Sequence, residues 1–247
     1  MLGVLALLLG LGEGAAADRC SPAPVPVQAA PASDARRQFD RLIAADRYLH
    51  VPEAIEAWRG LMPRLRAEAS ATVPLALARL AWSLEYVGRI EEAKPFAAEA
   101  TTLAEAGVLP PETAAEVFAT RSMVEVDAGD TDAADAHARR ALDLIARAAP
   151  VSGAAAFAHN AVANVAYARG RYADAERDYA RATDLDVRCL APDRSIVVND
   201  MASHAGVLYM VGRTEEALAQ NERAATWALE HLDEASPVVT LALGNQA

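Results

Sequence analysis

The sequence predicts an all-α fold, a solenoid of stacked antiparallel helix pairs. Three observations predict it. Glycines recur at 88, 129, 170 and 212, so the period is 41, 41 and 42 residues. Small residues recur at fixed distances from each of these glycines. The composition is apolar (53%) but poor in aromatics (5%) and rich in alanine, the strongest helix former. No alternating strand pattern or Asn-Gly or Asp-Gly hairpin turn interrupts the helical periodicity.

The chain opens on an apolar run, Leu2 to Leu11, followed by Gly12, Glu13, Gly14 and the small triplet Ala15, Ala16, Ala17. This is the pattern of a secretory signal with its cleavage site, which assigns residues 1–17 to a signal peptide. The run is shorter than the roughly 20 apolar residues a bilayer span needs. No basic residue precedes it, which is a departure from that pattern. The expected compartment is periplasmic or secreted, with membrane contact only through an uncleaved signal. Arg19, where a lipoprotein signal has a small residue, argues against lipid attachment at Cys20. Cys20 and Cys189 are the two cysteines. An oxidising compartment permits a bridge between them, and two unpaired thiols are the alternative.

Residues 18–33 carry Pro22, Pro24, Pro26 and Pro31 among small side chains and read as an extended linker. Helical patterning then runs over 34–247, as about five helix pairs plus an unfinished final helix. The first pair, around Asp34–Arg47 and Glu53–Ala69, is weak. It carries Ala54 and Trp58 at matching places but no glycine at its turn.

Four stronger units follow. In each, the glycine ends one helix and permits a tight turn, because it tolerates φ > 0. Seven residues before it stand Ala81, Ser122, Ala163 and Ala205; five after it, Ala93, Ala134, Ala175 and Ala217; twelve after it, Ala100, Ala141, Ala182 and Ala224. Small side chains there let neighbouring helices approach closely. Pro52, Pro74, Pro111, Pro192 and Pro237 sit near predicted first turns, where a missing N–H costs nothing. Thr72 and Ser152 are candidate N-caps. The second unit departs from the pattern. Arg121 and Glu125 occupy positions usually apolar, and a pairing at i, i+4 accounts for them.

These residues resemble the tetratricopeptide repeat, and the 41–42-residue spacing resembles the variety found in kinesin light chains and many bacterial repeat proteins. Glu92-Ala93-Lys94-Pro95-Phe96 resembles its second-helix opening, and Asn160 sits where that variety often has Asn. The resemblance implies a right-handed α-α superhelix whose first helices line a concave groove. It also implies a protein or peptide partner held there. Transferred position by position, the groove comprises Leu75, Trp82, Glu85 and Tyr86; Glu116, Met123 and Asp127; Phe157, Asn160, Asn164 and Tyr167; and Asn199, Tyr209 and Met210. Aromatic rings supply contact area and amides bond a peptide backbone. Trp82 and Phe157 have an equally good reading as fillers between units.

Other functions leave no trace. The net charge is −11 and no basic stripe is present, which excludes a nucleic-acid footprint. Lys94 is the one lysine among 23 basic residues, a usage that points to a GC-rich bacterial genome. No P-loop, GxGxxG, HExxH, CxxC or GxSxG motif occurs, so neither an enzyme nor a cofactor is expected. His159 and His204 fall near the inner faces of adjacent first helices, but no third ligand accompanies them. Pro237 to Ala247 reads as the opening of a further first helix. Its apolar Val239, Leu241 and Leu243 point to a docked partner or self-association there. They also allow an alternative, the regulatory or oligomerising region of a longer enzyme such as a caspase-like effector protein.

Overall fold

The computed structural model describes residues 20, 33–44, 51–107, 109–189, 195–232, 239, 242 and 244. The assigned signal segment 1–17, most of the 18–33 linker, Pro192 and Pro237 lie outside them. Ten helices follow one another among the described residues: α1 (Asp34–Ala44), α2 (Val51–Ala67), α3 (Val73–Tyr86), α4 (Ile90–Ala106), α5 (Pro111–Asp127), α6 (Thr131–Ala148), α7 (Gly153–Ala168), α8 (Tyr172–Cys189), α9 (Ile196–Met210) and α10 (Thr214–His231). They stack as antiparallel pairs in chain order, α3 with α4 through α9 with α10. No strand occurs among the described residues.

The four glycines do what their spacing predicts. Gly88, Gly129, Gly170 and Gly212 adopt φ of 73°, 85°, 70° and 80°. At each, the glycine N–H and the next N–H fold back to two carbonyls of the preceding turn, as in Gly88 N to Glu85 O (2.7 Å) and Arg89 N to Leu84 O (2.8 Å). This pair of hydrogen bonds satisfies two of the helix's orphan carbonyls and aims the chain into the antiparallel return. The next helix is then fastened at its start. Arg89 pairs with Glu92, Arg171 with Asp174 and Arg213 with Glu216. The second unit lacks that arginine, and Asp130 caps α6 by accepting from Ala133 N (3.1 Å).

All twelve small positions are buried, with exposures from 0% to 5%. Side chains this short let α3 pack on α5 and α5 on α7. Ser152 caps α7 as expected, accepting from Ala155 N (3.1 Å). Thr72 occupies the N-cap position of α3 but makes no capping bond; its hydroxyl instead pairs with that of Ser70 (2.8 Å). Arg121 and Glu125 pair at 2.5 Å, and the buried Glu125 also meets His137 Nδ1 at 2.7 Å. The second unit therefore keeps its charges inside by pairing them.

Two features extend beyond the pairs. Val239 and Ala242 are helical and buried against α9 and α10, so stacking continues past α10. A Cys20–Cys189 disulfide joins the N-terminal segment to the end of α8, with Cα atoms 5.4 Å apart.

Candidate functional site

The face built by the first helices divides into three parts. In the first, side chains close on one another. Trp82 and Phe157 meet edge to face with ring centroids 5.2 Å apart. Arg79 lies 5.9 Å from the Trp82 ring and forms an ion pair with Glu116. Met123 is buried in the same cluster, and Leu75 packs against the core of the first units. Trp82, Met123 and Phe157 fill space between units, and Glu116 is neutralised from the neighbouring helix.

The second part is a polar seam between α7, α8 and α9. Asn164 Nδ2 donates to Asn160 Oδ1 (2.7 Å), Asn160 Nδ2 donates to Asp200 Oδ1 (2.8 Å), and the Tyr179 hydroxyl donates to Asn164 Oδ1 (2.7 Å). Asp200 is also hydrogen-bonded to Asp186, and both are 2% exposed. Two carboxyls share such a bond only if one carries a proton. Burial pushes the Asp200 carboxyl up to about 6, against the lowering effect of its bonds with Asp186 and Asn160. Burial, with Asp200 and Tyr167 behind it, also raises the Tyr179 hydroxyl above its ordinary range. Asn160 and Asn164 thus reach one another across one helical turn, and both amides are committed to partners within the chain. Asp186 and Asp200 were not among the residues the sequence singled out. A carboxylate inside the otherwise apolar run of α9 is the only local signal for the latter.

The third part is a row at the C-terminal ends of the first helices, beside the glycine turns. Tyr86 (38% exposed), Tyr167 (40%), Tyr209 (66%) and Met210 (45%) stand open. Tyr167 is held edge to face by Tyr172 at 5.4 Å. Between Tyr86 and Tyr167 lie Glu85 and Asp127, which hydrogen-bond to each other across neighbouring units. Glu85 is pushed up to about 8, by burial first and by the charge and bond of Asp127 second. Asn199 is half-buried on α9, and its carbonyl accepts from Ser203 Oγ (3.0 Å).

Each of three half-buried histidines has a carboxylate partner. His137 meets Glu125, His159 Nδ1 lies 2.9 Å from Asp178, and His204 lies 3.5 Å from Glu176 and 3.2 Å from Gln220. His159 and His204 therefore engage different second-helix residues. His204 also lines a cavity of about 260 Å³ with Arg213, Glu216 and Arg223, and burial lowers its imidazole. Among the described residues no group of three or more His, Cys, Asp or Glu side chains is arranged around a metal position, and no helix is long and apolar enough to cross a membrane.

Residues 153–230 match the family model described as tetratricopeptide repeat. No curated protein matches the chain. Among solved structures, the fold is similar to that of BtubC (BKLC) from P. vanneervenii, with 18% identity and a TM-score of 0.58 over 87% of this chain and 82% of that one. A Rap protein complexed with Competence and Sporulation Factor is similar at 15% identity and a TM-score of 0.66; the match covers 79% of this chain and 54% of the Rap chain. A kinesin light chain protein of nearly identical TPR-like repeats from Podosopora anserina is similar at 13% identity and a TM-score of 0.50, over 79% of this chain and 94% of that one. The tetratricopeptide repeat expected from the sequence is matched over residues 153–230, and the helical-repeat fold is shared with these structures.

Proposed function

We propose that this tetratricopeptide-repeat solenoid is a non-catalytic scaffold that holds a protein or peptide partner on its first-helix face, outside the cytoplasm. One observation carries the binding reading. The helix ends beside the glycine turns leave Tyr86, Tyr167, Tyr209 and Met210 open in a row, while the rest of that face is closed by its own side chains. Large amphipathic side chains at an open surface supply contact area at low conformational cost. A protein of this fold, the Rap protein, is known in complex with a factor, which supports the same use here. The Cys20–Cys189 disulfide and the signal-like leader support an oxidising compartment.

Photo-crosslinking in cells tests the binding reading. A crosslinker replacing Tyr86, Tyr167 or Tyr209 is expected to give partner adducts, and one replacing the exposed Leu103 on the second helix α4 is expected to give none. Adducts of equal yield from Leu103 would count against the assigned face. For the compartment, Cys20 and Cys189 of the natural protein should resist alkylation until a reductant is added; free thiols on isolation would refute it.

A further inference from the structure

The first-helix row carries a pattern that specifies the chemistry of its occupant. Four arginines, Arg89, Arg169, Arg171 and Arg213, sit at the same turns, and each is already paired with a carboxylate. Glu85 and Asp127 are different. They bond to each other, and among the described residues neither is in an ion pair with Arg, Lys or His. The local field at this end of the row is therefore set by two carboxyls, on a chain of net charge −11. At the other end, on α9, the open side chains are Tyr209 and Met210, an apolar surface.

We infer that the occupant is an extended peptide segment with a basic side chain opposite Glu85–Asp127 and an apolar side chain opposite Tyr209–Met210. This rests on the reading of the first-helix face as the binding face. The spacing follows from the stacking. Close-packed first helices lie roughly 8–10 Å apart, as α3, α5 and α7 do, and α9 stands farther from α7, so the two anchor points are separated by at least roughly 20–25 Å. An extended chain advances roughly 3.3 Å per residue, so at least about six to eight residues separate the basic from the apolar side chain. Tyr167, on α7 between them, is 40% exposed and supplies aromatic surface to the intervening segment. An acidic peptide would meet the charge that the singly protonated pair retains, with no cation paired to it, and like charges placed together oppose binding.

Binding of a cation at the carboxyl pair has a signature that a merely greasy groove lacks. The groups facing Glu85 are Asp127 on α5 and the adjacent Tyr86 on α3. With Glu85 at about 8, the pair holds a proton at neutral pH. An arriving ammonium or guanidinium replaces that proton, which leaves to solvent. Affinity then rises, and proton release falls away, as the pH passes upward through about 8.

Fluorescence anisotropy with synthetic extended peptides tests this on the full chain. The expected probe carries Arg and Leu at the spacing above; its controls carry Glu for Arg, or the same residues at half the spacing. The Arg probe is expected to bind about tenfold tighter than either control, about 1.4 kcal/mol. Glu85→Gln with Asp127→Asn should remove that preference and the proton release, measured by calorimetry in two buffers of different ionisation enthalpy. Tyr209→Ala should weaken all probes alike and keep the proton release. Equal binding of the Glu probe would overturn the basic-partner inference and leave the face assignment standing. Binding of no probe, with crosslinks from position 209 intact, would also overturn it, since the occupant would then be a folded surface. Loss of the crosslinks themselves would sink the binding-face reading.

Discussion

The α5–α7 junction and the α7–α9 junction are built on one repeat but in opposite ways. Ten residues before each turn glycine stand Ala78, Ala119, Asn160 and Ala202. Where α5 meets α7, alanines such as Ala115, Ala119, Ala158 and Ala161 are fully buried and the helices pack directly. Where α7 meets α9, the same register holds Asn160, which reaches across to Asp200, and the two helices approach less closely. The apolar core breaks there too, into one cluster around Tyr179 and another around Met201. The repeat's 42-residue step falls in this same interval, between Gly170 and Gly212. Identical turns and identical small contacts within a pair thus do not fix the contact between pairs. That contact is set by one or two side chains per unit.

The largest expected effect comes from adding volume at this register in two different units. Ala119→Leu adds a branched chain where exposure is 0%, in a close-packed cluster. Overpacking of this kind should destabilise the fold by about 2–3 kcal/mol. Ala202→Leu makes the same change at the same register in the half-buried face of α9 and should cost under about 1 kcal/mol. Urea midpoints of the two variants measure the difference. Equal losses would mean that α9 is as tightly packed at this register as α5.

A second change acts on the polar side of the comparison. Asn160→Leu removes the amide donor to Asp200 and leaves a buried carboxyl short of a bond, at a cost of about 1–3 kcal/mol. Asn160→Leu combined with Asp200→Leu replaces both partners by apolar groups and should recover part of that loss, because an unmatched buried charge is worse than none. The double-mutant cycle reads the coupling. Additive losses would show that the seam's members stabilise the fold independently.

How much of this was legible in the sequence follows from the range of each interaction. The glycines and the twelve small positions are local and periodic, so the pairs, their turns and their order could be read directly. Arg121 and Glu125 were legible for the same reason, one turn apart on one helix. Thr72 reads as a cap but makes no capping bond, because a hydroxyl at the right place does not fix where it bonds; Ser70, two residues earlier, takes it. Asn160 and Asn164 read as groove residues because a polar residue on an apolar helix face can face a ligand or a neighbour. The choice was made by Asp200, one period away, and by Asp186 and Tyr179 on α8. Glu85 and Asp127 were each singled out, but their pairing was not. They stand three residues before Gly88 and two before Gly129, adjacent register positions of successive units.

The smallest expected effect is electrostatic and separates the two polar sites from the alanine junction, which has nothing to titrate. Asp200 is raised to about 6 and Glu85 to about 8, both above their ordinary values of 3.8 and 4.5. For each, the folded chain binds the proton more tightly than the unfolded chain does. Their contribution is therefore greatest below the unfolded values, and it is lost as the pH rises through the folded ones. Stability contributed by Asp200 should fall between its ordinary value of 3.8 and about 6, and that of Glu85 between 4.5 and about 8, so the two overlap below about 6 and Glu85 acts alone above it. Asp200→Asn, which keeps the shape but cannot ionise, should reduce the slope below about 6 only, and Glu85→Gln should reduce it throughout and remove it above about 6. Thermal melts of the natural chain and the two variants across this range resolve the two steps. A natural chain whose melting temperature climbs from pH 5 to 8, with both variants tracking it, would show that neither carboxyl holds its proton in the folded state.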